Sequence, residues 1–186
     1  MNVLLGILIV LGVIIVALIG MYNSLVGKRN QVSNVFAGVD AQLKKRYDLI
    51  PNLVASVKEY LTHEKETLTK ITELRSQAMN TTNQAQKFDL NNQLASLLGN
   101  LKVAIENYPD LKANENVLHL QGSLLEVEEQ ISAARRAYNG AVMEYNNACE
   151  MFPTNIIAGM FNFVKSEFFK TDENEKQAPN VRDLFK

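Results

Sequence analysis

Apolar side chains are concentrated at the amino end of the chain, in a run that no charge interrupts. Residues 3–21 are almost all leucine, isoleucine, valine, alanine and glycine, and the first charged side chain is Lys28. A helix of that length rises about 28 Å at about 1.5 Å per residue, close to the hydrocarbon thickness of a bilayer. The run therefore predicts a membrane-spanning helix, whose lipid-embedded residues include Val3, Leu8, Leu11, Ile15 and Met21.

A cleaved signal peptide is the alternative interpretation of this run. It is disfavoured because no charged residue precedes the apolar stretch and no small-residue cleavage site follows it. The flanking cations lie on the carboxyl side, at Lys28, Arg29, Lys44, Lys45 and Arg46. Because cationic flanks stay in the cytoplasm, we expect a single-pass protein of the cell (inner) membrane, with its amino terminus outside and its soluble part in the cytoplasm.

After the span, apolar positions recur at steps of three and four residues, which is the spacing of one face of an α-helix. Four such stripes predict four amphipathic helices, over residues 25–50, 54–78, 90–104 and 117–152. Pro51 lacks an amide donor, so we expect a helix break near Leu49 and Ile50. The polar residues 79–87 predict a loop, and residues 107–112 predict a turn.

Amphipathic helices joined by short connections most simply bury their stripes against one another. The predicted fold class is all-α, a transmembrane helix followed by an antiparallel up-and-down four-helix bundle with long helices. The predicted domains are the anchor at 1–27, the helical bundle at 28–152, a phenylalanine-rich segment at 153–170 and a flexible polar tail at 171–186. The fourth helix is longer than the third, so we expect part of it to pack elsewhere or against another subunit.

The phenylalanine-rich segment follows the fourth helix, which returns toward the bilayer in this topology. Over residues 152–169 it carries only two charges, Lys165 and Glu167. We expect it to dock at the membrane interface, or alternatively to fill the core at the bundle end or against another subunit. The predicted lipid or subunit contacts are Phe152, Ile156, Ile157, Met160, Phe161, Phe163, Val164 and Phe168.

Four charged residues stand at stripe positions that the helical period assigns to the interior: Arg29, Arg46, Glu64 and Arg75. A buried charge requires a partner, so we expect structural ion pairs that fix the register of neighbouring helices. Antiparallel packing would pair Arg46 with an acid of the fourth helix, such as Glu126 or Glu128.

Composition and motifs give no sign of catalysis. Lys and Arg number 19 against 20 Asp and Glu, so no basic field favours nucleic acid binding. His63 and Glu64 begin an HExxH motif, but Thr67 stands where the second histidine would be needed. The single cysteine, Cys149, supplies neither a disulfide nor a zinc cluster. We therefore expect no enzymatic activity, no metal and no cofactor.

Four segments together carry a resemblance to a known family: Tyr22–Val32, Val39–Tyr60, Tyr108–Gln121 and Ile131–Pro153. They resemble the hallmark stretches of the LemA family of bacterial membrane proteins. The resemblance implies one amino-terminal anchor and an up-and-down four-helix bundle, with no enzymatic activity and no cofactor. It also suggests roles in envelope organisation, in stress response or beside membrane metalloproteases, and relatives are used in vesicle biogenesis by magnetosome-forming bacteria.

These features lead to one functional expectation and one alternative. We expect a non-enzymatic, membrane-anchored helical scaffold that forms a homo-oligomer and organises or shapes the bacterial membrane or envelope. The expected partners are the lipid bilayer and further copies of the chain, not nucleic acid. The alternative is an adaptor or regulator that presents its bundle to a membrane protease or an envelope-stress partner.

Overall fold

The computed structural model describes the backbone of residues 2–170 and the side chains of residues 4–170. In this part of the chain every regular element is helical, which confirms the predicted all-α class. The α-helices are α1 Asn2–Val57, α2 Lys65–Asn80, α3 Gln84–Glu106, α4 Pro109–Lys112, α5 Glu115–Glu150 and α6 Thr154–Met160, and a 3-10 turn covers Thr62–Glu64. The side chain of Val3 and the predicted tail at 171–186 lie outside the described residues.

The chain divides into two compact units, and the long helices α1 and α5 contribute to both. The first unit combines the chain up to Asp40 with Ala133–Phe168. The second combines Ala41–Ser132 with Phe169 and Lys170, where the described residues end. The first unit therefore holds the apolar start of α1 and the phenylalanine-rich segment, whereas the second holds α2, α3 and α4.

Helix α1 continues through Pro51 and ends at Val57, so the predicted break near Leu49 and Ile50 is wrong. Proline has no N–H, and a helix that contains it leaves the carbonyl four residues earlier without its donor. That carbonyl belongs to Tyr47, and Nε of Arg75 in α2 donates to it at 2.6 Å. The helix can pass the proline because a neighbouring helix supplies the missing hydrogen bond.

The connections are shorter than the polar residues predict, because several of these residues cap helices. The predicted loop at 79–87 contracts to residues 81–83, and α3 begins at Gln84. The side chain of Asn83 accepts a hydrogen bond from the Gln86 amide at 3.1 Å, which is a standard helix cap. Asn114 accepts from the Asn116 and Val117 amides and caps α5 in the same way.

The core of the second unit is built largely from residues of the predicted stripes, and it also contains Leu53 and Leu74, which the stripes did not include. Buried apolar side chains come from the last part of α1, from α2, from α3 and from the first half of α5; among them are Leu43, Ile50, Leu53, Ile71, Leu74, Leu94, Leu101, Val127 and Ile131. Burying each such side chain contributes about 1.5–3 kcal/mol. These contacts hold the second unit together.

Candidate membrane-facing site

The first part of α1 has no packing partner within the described residues. Its leucine, isoleucine and valine side chains from Leu4 to Ile19 are 43–70% exposed, including Leu8, Leu11 and Ile15. Among the described helices it is the one long and apolar enough to cross a membrane, and its most apolar stretch is not buried. A helix that is apolar on every side requires apolar surroundings. The start of α1 is therefore a candidate membrane span, as the sequence predicts.

Helix α6 packs against α1 where the apolar run ends. Leu25 is fully buried in a small cluster with Ile157 and Ala158, and Met21 and Phe163 pack at its edge. Two predicted lipid or subunit contacts therefore pack against the protein: Ile157, which is buried, and Phe163, which is half-buried. The burial of Ile157 and Ala158 fixes which side of α6 points outward.

The outward side of α6 is apolar and exposed. We call this surface the α6 patch. It consists of Ile156 and Met160 of α6 and of Phe152 and Phe161, which flank the helix, and these four side chains are 52%, 70%, 80% and 56% exposed in that order. The ring of Phe161 lies 4.8 Å from that of Tyr22, the residue directly after the apolar run. The α6 patch is thus placed beside the last turn of the candidate span. Two further predicted contacts, Val164 and Phe168, are also exposed.

Helix α6 ends at a left-handed residue, Asn162, with φ of 54°. The Phe163 amide donates to the Ala158 carbonyl at 2.9 Å, and the Asn162 amide donates to the Gly159 carbonyl. This pair of hydrogen bonds is the Schellman arrangement, in which glycine or asparagine takes the left-handed position. It turns the chain into a non-helical segment, residues 163–170, which we call the strap.

Side chains of α5 hold the strap through its backbone. The hydroxyl of Tyr145 donates to the Val164 carbonyl at 2.9 Å, and the hydroxyl of Tyr138 donates to the Glu167 carbonyl at 3.0 Å. Asn146 exchanges two hydrogen bonds with the backbone of Ser166, each of 2.9 Å. These side chains satisfy backbone groups of the strap that have no hydrogen-bond partner in a helix or a sheet.

The environment of the two tyrosines keeps their hydroxyls protonated. Burial raises the pKa of Tyr145 to about 12, the hydrogen bond and charge of Cys149 add to the increase, and the positive charge of Arg29 opposes it. Burial, followed by the charge of Glu167, raises the pKa of Tyr138. Each hydroxyl therefore remains a hydrogen-bond donor to the strap well above neutral pH.

The four charged residues assigned to the interior occupy different surroundings. Arg46 is 1% exposed and forms an ion pair with Glu128, one of the two acids predicted for it. Its Nη1 also donates to Asn91 at 2.7 Å. Arg75 and Glu64 are half-buried, and Glu64 accepts a hydrogen bond from Thr67. Arg29, in contrast, is exposed, with its guanidinium 5.2 Å from the centre of the Phe163 ring.

A groove of about 640 Å³ opens in the second unit between α1, α3 and α5. Arg46 and Glu128 form part of its wall, and six of its sixteen lining residues are leucines, which come from all three helices. Two of these leucines, Leu118 and Leu125, are 50% and 57% exposed. The groove therefore combines an apolar lining with a neutralised ion pair. No three His, Cys, Asp or Glu side chains among residues 4–170 are grouped as a metal site would require.

The periodicity of the sequence did not indicate two of the residues that shape these sites. Asn146 looks like a surface position of α5, and Asn162 looks like an ordinary polar residue among phenylalanines. Their partners are backbone atoms of the strap and of α6, which carry no signal in the sequence. Asparagine beside an apolar segment was the one available hint, because this residue favours left-handed and capping positions.

Comparisons with known proteins extend over most of the chain. The LemA family model matches residues 35–182. Protein LemA of Metamycoplasma hominis is 28% identical over 178 residues, covering 95% of this chain and 81% of that protein. Magnetosome protein MamQ 2 of Paramagnetospirillum magneticum is 33% identical over 73 residues, 39% of this chain and 27% of that protein. Magnetosome protein MamQ of Magnetospirillum gryphiswaldense is 29% identical over 72 residues, 39% of this chain and 26% of that protein. The chain belongs to the LemA family.

Proposed function

We propose that this protein is a non-enzymatic, membrane-anchored helical scaffold that self-associates and organises the bacterial cell membrane, with its soluble part in the cytoplasm. The observation that carries the proposal is the position of the α6 patch beside the end of the candidate span. Its apolar side chains are exposed, while Ile157 and Ala158 of α6 pack on Leu25. A short helix with exposed apolar side chains at this position is suited to lie in the interface of the same bilayer that the anchor crosses.

The energetics favour lipid as the surroundings of the α6 patch. Full burial of a phenylalanine, isoleucine or methionine side chain is worth about 1.5–3 kcal/mol. A seven-residue helix binds a membrane weakly when it is free in solution, but the anchor makes the contact intramolecular and raises its effective concentration. In the proposed scaffold the patch fixes how the first unit meets the membrane surface.

For the second unit we propose the antiparallel up-and-down four-helix bundle. Its members would be the last part of α1, α2, α3 and the first half of α5. Hydrogen bonds from Arg75 to Tyr47 and from Arg46 to Asn91 link α2 and α3 to α1, and the ion pair between Arg46 and Glu128 links α5 to α1. The connection at residues 81–83 favours antiparallel neighbours, since so short a loop cannot span the length of a helix.

Self-association is a separate part of the proposal. It rests on exposed apolar side chains outside α6, among them Val103 of α3 and Met143 of α5, which are 61% and 53% exposed. Copies confined to a membrane are concentrated by it, so modest contacts suffice for assembly. A monomeric mass over a wide concentration range in lipid nanodiscs would remove this part of the proposal.

Site-specific photo-crosslinking of the full-length protein in living cells tests the proposal. A benzophenone side chain replaces Phe161 in the α6 patch, or Tyr60 in the α1–α2 connection as the control. Tyr60 is also aromatic and is 45% exposed. We expect lipid adducts from position 161 and no lipid adducts from position 60. If position 161 instead captures mainly one foreign protein, the adaptor function replaces the scaffold.

A further inference from the structure

The strap ends beside the groove of the second unit. The ring of Phe169 is stacked on that of Phe88, with centroids 4.0 Å apart. The next residue, Lys170, accepts a hydrogen bond at its carbonyl from Nδ2 of Asn92, at 3.1 Å. Asn92 itself lines the groove. Lys170 therefore lies at one end of the groove, and residues 171–186 follow it in the sequence.

The following residues are long enough to enter the groove. The groove follows α3 from Asn92 to Ile105, which corresponds to about 20 Å of helix at about 1.5 Å per residue. Val181 stands eleven residues after Lys170, a reach of up to about 36 Å at about 3.3 Å per residue. Length therefore allows the last residues of the chain to reach any point along the groove.

The chemistry of those last residues matches the lining of the groove. Three of them are apolar, Val181, Leu184 and Phe185. Between Val181 and Leu184 the sequence has one cation and one anion, Arg182 and Asp183. The groove offers exposed leucines together with Lys102 and Glu128 at its wall. Apolar side chains can thus meet the leucines while Asp183 approaches Lys102. The residues before Val181 are mostly polar and suit a linker.

Two glycines in the groove leave space for an occupant. Gly99 of α3 and Gly122 of α5 both line it, and a Cβ added at either would meet no other part of the chain within 4 Å. A glycine inside a helix costs about 1 kcal/mol relative to alanine. The packing of the second unit therefore does not require these glycines, and they keep the groove open to a further segment.

We infer that the groove binds the carboxyl-terminal segment of its own chain, with Val181, Leu184 and Phe185 covering the exposed leucines. The inference is independent of the proposed membrane function, because it concerns the second unit and its test does not measure membrane contact.

Disulfide trapping of the full-length protein in nanodiscs tests the inference. In a Cys149→Ser background, Leu184→Cys is combined with Leu125→Cys, which lies in the groove, or with Val103→Cys as the control. Val103 is similarly exposed but does not line the groove. We expect mild oxidation to form an intrachain disulfide severalfold faster with Leu125→Cys than with Val103→Cys. Equal rates at the two positions would overturn the inference.

A groove-filling variant provides the second measurement. Gly122→Leu adds a side chain where the fold has open space, so the protein should stay folded while the groove is blocked. We expect it to reduce trapping at Leu125→Cys severalfold, whereas Gly140→Leu, also in α5 with open space at its Cβ, should not. A disulfide that forms only between two chains would show that the groove binds the segment of a second copy and would overturn docking within one chain.

Discussion

At the scale of single residues, the reason for the hydrogen bond from Arg75 to the Tyr47 carbonyl can be tested by mutation. The bond is needed because Pro51 cannot donate to that carbonyl. A helix-forming residue at position 51 would restore the ordinary helical hydrogen bond. The contribution of Arg75 to stability should therefore depend on which residue occupies position 51.

A double-mutant cycle measures this dependence. We expect Arg75→Met to lower the free energy of unfolding by about 1.5–3 kcal/mol, the range for a hydrogen bond from a charged group. In a Pro51→Ala background the same substitution should lower the free energy of unfolding by a clearly smaller amount, because the amide of the introduced alanine then donates a hydrogen bond to the Tyr47 carbonyl. Denaturant unfolding of the four proteins gives the coupling energy. A coupling energy of zero would show that Arg75 does not compensate for the proline.

The tyrosines that hold the strap predict a loss of stability at high pH. The unfolded pKa of tyrosine is about 10, and the folded value for Tyr145 is raised to about 12. The stabilising contribution is then complete below about pH 10 and is lost as pH rises through about 12. Tyr145→Phe should lower stability by about 1 kcal/mol below pH 10 and reduce this decline. Measuring the free energy of unfolding of both proteins at several pH values tests this prediction. If stability declined as steeply with pH in Tyr145→Phe as in the unmodified protein, the decline would not come from Tyr145.

Residue patterns predicted some of these interactions and not others, for a physical reason. An acid of α5, Glu126 or Glu128, could be predicted in advance as the partner of Arg46, because the helical period assigns Arg46 to the interior and antiparallel packing brings α5 beside it; in the structure the partner is Glu128. The Arg75 contact could not, since its acceptor is a backbone atom and its position depends on the packing of α2 against α1. Side-chain periodicity contains no information about backbone acceptors.

At the scale of elements, the turn at Asn162 decides whether the strap reaches α5. Its φ of 54° is acceptable for glycine and asparagine and unfavourable for β-branched residues, at a cost of about 1–2 kcal/mol. We expect Asn162→Gly to preserve the strap and Asn162→Val to loosen it. Hydrogen exchange at the Ser166 amide, which donates to Asn146, reports the difference. Equal protection in both variants would mean that the turn does not position the strap. Asn155→Val, at an exposed position within α6, is the matched control.

The elements also show where sequence patterns mislead. The predicted stripes recovered the long helices, whereas the boundaries differed wherever polar residues cap a helix, as at Asn83. Apolar residues are spread along the phenylalanine-rich segment, so its sequence could not indicate which of these side chains face outward. Packing of α6 on Leu25 separates Ile157 from Ile156, and only the structure supplies that contact.

At the scale of the whole molecule, the flanking cations predict its orientation in the membrane. Lys28 and Arg29 follow the candidate span and no cation lies between Met1 and the apolar run. In a Cys149→Ser background, a cysteine placed at Asn2 should react with an impermeant maleimide on intact cells from which any outer membrane has been removed. One placed at Lys58 should react only after the cell membrane is permeabilised. The reverse pattern would place the soluble part outside the cytoplasm.

The central claim is that the α6 patch lies in the bilayer that the anchor crosses. Fluorescence quenching by lipids brominated on their acyl chains tests it directly, because the chain contains no tryptophan. In nanodiscs, a Phe161→Trp variant of the full-length protein should be strongly quenched, and a Tyr60→Trp variant should not. If the Phe161→Trp variant were quenched no more than the Tyr60→Trp variant, the α6 patch would not contact lipid and the proposed membrane role would be wrong.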